Sequence, residues 1–441
     1  MFTSMHRRIA LGLTAAGVAT ALLAGCSSSG STSKSTPQST SSGPIKLTYW
    51  AWAPNLDQVV AIWNKAHPNI QVTVEKQASG DALLTKVITA AKAGGAPDLV
   101  QAEYQAIPTL VSNNVLADIS KYDGSASSDF AAGVWKQVTL GSSAVYAIPQ
   151  DTGPLMYYYR TDLFKKYGLT VPTTWAEFAA DAVKLHKESP GTALTTFSSG
   201  DPGLFAGLAQ QAGSSWWTSS GSSWKVNIDD AATQKVANFW GGLVKAGDID
   251  NQPMYTPAWI KSLADGSEIS WVSAVWAPGV LSSDAPKTAG KWAMVELPQW
   301  SAGQDTTGSW GGSSTAVTAE SKHQQAAAQF AQWLNTDPTA VAALVKDASI
   351  YPAATDAETG SALATAPAFF ADQPDFYTLA AKIEGTTAPA AWGPNVDVAY
   401  SAFTDDFGKA AQDKSSFLTA LGAMSQSTVS DMKTQGFTVS G

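Results

Sequence analysis
The sequence predicts an exported α/β protein of more than one domain, on three observations. Strand-like and helix-like patterns alternate from residue 45 onward, as in a mostly parallel sheet covered by helices. The alternation restarts past residue 155, and a chain of 441 residues is long enough for two domains. The N-terminus has the layout of an export signal.

The elements follow in order. IKLTYWA (45–51) alternates as a strand does, and residues 56–68 carry a helical period stopped by Pro68. IQVTVEK (70–76) alternates again, residues 82–95 form a helix closed by glycines, and PDLVQAE (97–103) is a short buried strand. Ligands of such sheets gather at the carboxyl ends of strands, which makes Trp50, Trp52, Glu103 and Tyr104 candidate site residues. YAIPQDTGPLMYYYRTDLF (146–164) fits no single element: one strand hands over to another across Gln150, Asp151 and Gly153. Thr174 and Glu177 stand three apart, a capping box that opens a helix over 173–188. Residues 268–276 form a strand ending on Trp276, and 313–338 give a strand, a helix and a stop at Pro338. The last ninety or so residues read mostly helical, and no tandem repeat is present.

At the N-terminus, Arg7 and Arg8 precede an apolar run from Ile9 to Ala24 and then Cys26, the single cysteine. Residues 1–25 are therefore expected to be a signal peptide rather than a permanent span. LLAGC resembles the lipobox of bacterial lipoproteins, which implies lipidation at Cys26; a soluble secreted chain is the alternative. The Ser-rich stretch to residue 43 cannot bury apolar area and predicts a flexible tether over 26–43, with a reach of about 23 Å. One cysteine allows no internal disulfide, so the fold must rest on its core. Losing Arg7 and Arg8 with the signal takes the net charge from −9 to −11, which argues against nucleic acid as a partner.

Tryptophan is the outlier of the composition, with 17 residues. Trp63, Trp175, Trp240 and Trp333 fall at helical spacing and are expected in the core. Trp50, Trp52, Trp216, Trp217, Trp276, Trp310 and Trp392 sit outside helical stripes, most of them beside Gly, Pro or Ser. They are candidates for flat apolar platforms, with packing between elements as the alternative for each.

APDLVQAEY, the block from Tyr146 to Lys187, AVWAPG, and GGSSTAVTAESKHQQAAAQFAQWL together resemble the family 1 extracellular solute-binding proteins. These are carbohydrate-binding components of ABC importers, of the maltose-binding type. The resemblance implies a two-lobed periplasmic-binding-protein-like α/β fold, with a hinge of chain crossings and the ligand between lobes. It places residues 44–152 and 306–347 in an N-terminal lobe and 153–305 and 348–441 in a C-terminal lobe. The crossings would fall near Gln150–Pro154, Asp305–Trp310 and Asp347–Pro352, with hinge closure around the ligand.

A pyranose has an apolar C–H face that wants an aromatic platform and a hydroxyl rim that wants carboxylates, amides and backbone groups. Trp50, Trp52, Trp276, Trp310 and Trp392 are the platform candidates. Asp151 and Glu103 are the polar ones, with backbone at Gly311 and Gly312, and Trp216, Trp217 and Tyr351 as further choices. After the signal the one arginine is Arg160, placed at a strand end; this favours a neutral ligand over an anion. The implied partners are a sugar and an ABC permease, with no cofactor, no metal and a monomeric chain at the outer face of the membrane. Two rivals are kept. A glycosidase would need paired carboxylates, but no nucleophile elbow, zinc motif or phosphate loop is present. A binding protein for a polyamine or other cation would use acids with aromatics.

Overall fold
The computed structural model describes residues 43–122, 125–220, 223–358 and 360–440. The expected signal peptide, Cys26 and all but the last residue of the tether lie outside them. The described strands are β1 (Ile45–Ala51), β2 (Ile70–Lys76), β3 (Leu99–Glu103), β4 (Ala147–Asp151), β5 (Leu155–Arg160), β6 (Trp217–Ser220), β7 (Ser223–Val226), β8 (Ser270–Ala274), β9 (Trp292–Val295), β10 (Ser313–Val317) and β11 (Thr438–Ser440).

The first lobe is built on a sheet of order β2-β1-β3-β10-β4. β1 runs parallel to β2 and β3, whereas β10 pairs antiparallel with β3 and β4. Helices cover both faces, so successive side chains enter different cores. Tyr49, Leu99 and Val317 pack in one, and Val100, Ala102 and Ala316 in the other. Helix Leu56–Ala66 places Trp63 in the first of these cores.

The second lobe centres on β8-β5-β9, all antiparallel. Parallel bridges Ala193↔Glu268 and Thr196↔Asp250 continue it. The chain after 197, after 252 and after β8 therefore leaves at one common edge. Its core takes in Trp175 and Trp240, and helix Trp175–Glu188 starts on the expected Thr174–Glu177 capping box. Arg160 is structural here: it is buried, and Nε and Nη2 donate to the two oxygens of Asp162 at 2.8 and 2.7 Å. The β6–β7 hairpin with parallel β11 forms a small third sheet. Pro338, expected as a stop, opens a second helix, Pro338–Ala348, with Asp337 capping it. A proline at the first helical position loses no intrahelical bond, so one residue both ends a helix and begins the next. No helix among the described residues is long and apolar enough to cross a membrane.

Three passages of chain lie side by side between the lobes. Leu155 N donates to Gly308 O and Trp310 N to Gly153 O, both at 2.8 Å. On the other flank Ala353 N donates to Gln150 O at 3.1 Å and Thr152 N to Tyr351 O at 3.3 Å. Gly153 is needed for this approach: a Cβ there would lie 3.0 Å from the carbonyl carbons of Trp310 and Gly311. Side chains of Ile350, Ala353 and Ala354 pack in the first lobe, Tyr351 turns into the second, and the chain rejoins the second core at Leu363.

Candidate functional site
The carboxyl ends of the first sheet and the crossings bring most of the predicted residues together. Glu103 pairs with Ser313 across β3 and β10, and Ser313 pairs with Asp151 across β10 and β4. Asp151 Oδ1 accepts from Ser313 Oγ at 2.6 Å and from Ser313 N at 2.5 Å. The Tyr104 hydroxyl donates to Asp151 O at 2.9 Å. Its ring lies on Gly312, where a Cβ would come within 2.8 Å, and φ is 88°. Gly311 also has a positive φ, 79°; two left-handed residues in succession turn the chain from Trp310 into β10.

The aromatic wall stands on the other side. Trp276 Nε1 donates to Trp310 O at 3.1 Å, and the two rings meet edge to face at 4.9 Å. The Trp310 indole covers Gly203, at the start of helix Pro202–Gln211, where a Cβ would approach it to 2.8 Å and the Tyr400 hydroxyl to 3.7 Å. Trp392 packs in both the first-lobe and second-lobe cores and meets Tyr400 edge to face at 6.4 Å. Beside Trp276 opens a groove of about 450 Å³, walled by Pro278, Gly279 and Tyr377 of the second lobe and Lys346 and Ser349 of the first. At the far end Trp52, Asp81, Glu103 and Gln105 of the first lobe close with Val396 of the second around a cavity of only about 20 Å³.

Burial sets the electrostatics. It raises Glu103 to about 7, with Asp81 and Asp151 adding to the shift. Asp151 rises to about 6 because burial outweighs its bonds from Ser313. Asp81 and Asp397 are also raised, chiefly by burial, and Asp397 adds to the shift at Asp81. A carboxyl group with a raised pKa holds its proton more tightly folded than unfolded. Its stabilisation is complete below the unfolded value and is lost as pH rises through the folded one. For Glu103 that window runs from 4.5 to about 7. The melting temperature of residues 43–441, without added saccharide, should therefore fall between pH 5 and pH 8. Glu103→Gln should make the fall shallower. Glu268, buried in the second lobe and raised to about 8, contributes the same sign in both proteins; identical pH slopes would remove Glu103 from this account.

Other predicted residues lie elsewhere. Trp216 is buried with Nε1 donating to Thr233 Oγ1 at 3.1 Å, and Trp217 is fully buried against Gly393. Tyr351 is buried in the second-lobe core, stacked on Tyr377. Trp216 and Trp217 are corrected to packing roles, since neither exposes a ring face; Tyr351, though largely buried, lines the groove beside Trp276. Trp50 stands at the outer side of β1, with Nε1 donating to Glu75 at 2.7 Å and Lys86 over the ring at 4.3 Å. The site gains residues that the sequence reading missed: Asp81, Asp201, Asp397 and Tyr400. Gly80-Asp81 and Asp201-Pro202-Gly203 are strand-to-helix turns and could have been found as such. Asp201 accepts from Ser198 Oγ at 2.5 Å and is raised by burial to about 6. Asp397 and Tyr400 give no signal beyond lying on a helix. No group of metal-binding side chains occurs among the described residues.

Residues 46–341 match the family of bacterial extracellular solute-binding proteins. The chain belongs to that family. As a solute-binding protein it shares 30% identity and a TM-score of 0.81 with the galacto-N-biose/lacto-N-biose I-binding protein of an ABC transporter from Bifidobacterium longum, solved with lacto-N-biose; 90% of this chain and 100% of that one are covered. An ABC transporter-associated binding protein from B. animalis subsp. lactis, solved with β-1,6-galactobiose, matches at 25% identity and a TM-score of 0.82, with the same coverage. An arabinooligosaccharide-binding protein of Halalkalibacterium halodurans is 24% identical over 65% of this solute-binding protein and 66% of that relative's length. The fold is the two-lobed one of this family, and the named relatives are binding proteins rather than enzymes.

Proposed function
We propose that this solute-binding protein captures an oligosaccharide between its lobes, closes on it by the hinge, and delivers it to an ABC permease. The observation that carries the reading is the junction at the crossings. There Trp276 of one lobe meets Trp310 at the crossing that runs into β10, whose Ser313 is paired with Asp151 and Glu103 of the other lobe. Ring faces suit the C–H face of a sugar and the carboxyl groups suit its hydroxyl rim. The relatives bound to lacto-N-biose and β-1,6-galactobiose support it. In the lobe assignment proposed here, described residues of 43–152 and 310–357 form one lobe and those of 153–309 and 360–440 the other.

The convergence of Asp81, Glu103, Asp151 and Asp397 keeps the cation reading as the second choice. Raised pKa values weaken it. Glu103, raised to about 7, is partly protonated near neutral pH, so it attracts a cation less yet still donates to and accepts from hydroxyls. The test is a thermal-shift screen of residues 43–441, which contain all three hydrophobic cores, against mono-, di- and oligosaccharides with polyamines as controls. A ligand at 100 times its Kd adds about 2.7 kcal/mol, a visible rise. A response to polyamines alone, lost at high salt, would replace the sugar reading.

Attachment by two acyl chains at Cys26 is proposed for the outer face of the cytoplasmic membrane, since one chain alone holds only marginally. Labelled fatty acid should enter the wild-type chain and not Cys26→Ser; equal labelling would discard the anchor. A monomer is expected, because the site is complete within one chain.

A further inference from the structure
β2 stands at the end of the first-lobe sheet, with β1 as its neighbour. An end strand turns a row of main-chain N–H and C=O groups outward, and another strand can add to them. Gln77 N donates to Ala51 O at 2.8 Å, so the odd-numbered residues here bond to β1. The outward groups of β2 therefore belong to the even-numbered residues, Ile70, Val72, Val74 and Lys76.

Half of that row is closed by the last turn of helix Leu56–Ala66 and the residue that follows it. Trp63 Nε1 donates to Ile70 O, and Ile70 N donates to His67 O, both at 3.0 Å. Asn64 does more: Nδ2 donates to Val72 O and Oδ1 accepts from Val72 N, both at 2.8 Å. One side-chain amide thus makes the pair of bonds that a neighbouring strand would make. Gln71 Nε2 fixes the turn that carries it, donating to Asn64 O and His67 O at 3.0 Å each. Asparagine is a weaker helix former than alanine, so helix propensity does not account for it at this position. The helix itself packs in the core on one face of the sheet through Val59, Val60 and Trp63. At Val72 it is the Asn64 amide that occupies the line of a next strand.

Beyond Val72 the row is open: among the described residues no side chain bonds the outward groups of Val74 or Lys76. This stretch is its own complement. Turned about an axis through Val74, a second β2 sets Val74 against Val74, Val72 against Lys76 and Thr73 against Glu75. In that antiparallel register each outward group meets another. No like charges face each other, and Val72, Thr73 and Val74 are β-branched residues that suit a strand.

We propose that the outer edge of β2 is a pairing surface for a second copy of this chain, and that the Asn64 amide holds it closed by standing in for the incoming strand. The contact is autoinhibitory: it keeps single a chain whose first-lobe sheet is otherwise ready to extend. It is independent of saccharide capture.

Sedimentation velocity of residues 43–441, which hold all three hydrophobic cores, tests it from micromolar to millimolar concentration. Wild type is expected to keep the mass of one chain throughout. Asn64→Ala opens Val72 and should move toward twice that mass as concentration rises, with association at least tenfold stronger than in wild type. Adding Thr73→Glu sets a carboxylate against Glu75 of the second copy, twice over by symmetry, and should return the mass to one chain. Thr73 is exposed, so this second change disturbs no core. An Asn64→Ala variant that stays a single chain at the highest concentration overturns the proposal. So does association that Thr73→Glu leaves unchanged, since it would then run through another surface or through misfolded chains.

Discussion
Alanine at Gly308 is expected to lower the melting temperature of residues 43–441 by roughly 5 °C, corresponding to about 3 kcal/mol. The added methyl would overlap the carbonyl oxygen of Gly207 and lie 2.6 Å from its carbonyl carbon. Both partners are main chain, and neither can step aside. Gly207 is in helix Pro202–Gln211, and Gly308 O accepts the Leu155 amide of the first crossing. Relief would require the second crossing to part from that helix. Gly422→Ala is the control: it lies in helix Phe417–Thr434 with nothing within 4 Å. Helix propensity then predicts no loss and a gain of up to about 1 kcal/mol. Equal melting temperatures for wild type and Gly308→Ala would show that the crossings are looser than their contacts imply.

Trp276→Ala is expected to weaken saccharide binding by roughly 10- to 100-fold, or about 1.4 to 2.8 kcal/mol. The substitution removes the wall of the 450 Å³ groove and the indole donor to Trp310 O. It also strips the edge-to-face partner from Trp310, so two rings are affected by one change. Trp276→Phe should keep part of the stacking and lose the donor, giving an intermediate loss. Affinity for the best saccharide of the screen, measured by titration, decides the matter. An alanine variant with unchanged affinity would assign Trp276 to ordinary packing between β8 and the crossing.

The first sheet was legible almost residue by residue, because β1 and β2 alternate and their neighbours carry clean helical periods. β1 and β2 have the limits that the pattern predicts. The β6–β7 hairpin was not, since strands of four residues, rich in serine, carry too few apolar positions to show a period. Asp151, Glu103, Trp276 and Trp310 could be proposed from the sequence because strand ends and crossings announce themselves. Trp216 and Trp217 were misplaced by the same neighbours, Gly and Ser, that mark loops. Gly393 is what allows Trp217 to be covered: a Cβ there would overlap its indole. That contact links positions 176 residues apart and leaves no local trace. Asp397 and Tyr400 reach the site only because helix Val396–Gln412 packs across from Glu103, which no window of sequence reveals.

β10 lies between β3 and β4 and bonds to both. The two strands it joins are made long before it, and the whole of β5 to β9 intervenes. The first lobe consequently has a gap in the middle of its sheet until residue 317 has been synthesised. Such long-range pairing slows folding, because the loop must close before its contacts repay the entropy. Neither lobe can finish on its first segment: the first waits on β10, made after β5 to β9, and the second waits on the helices after residue 375 that complete its core.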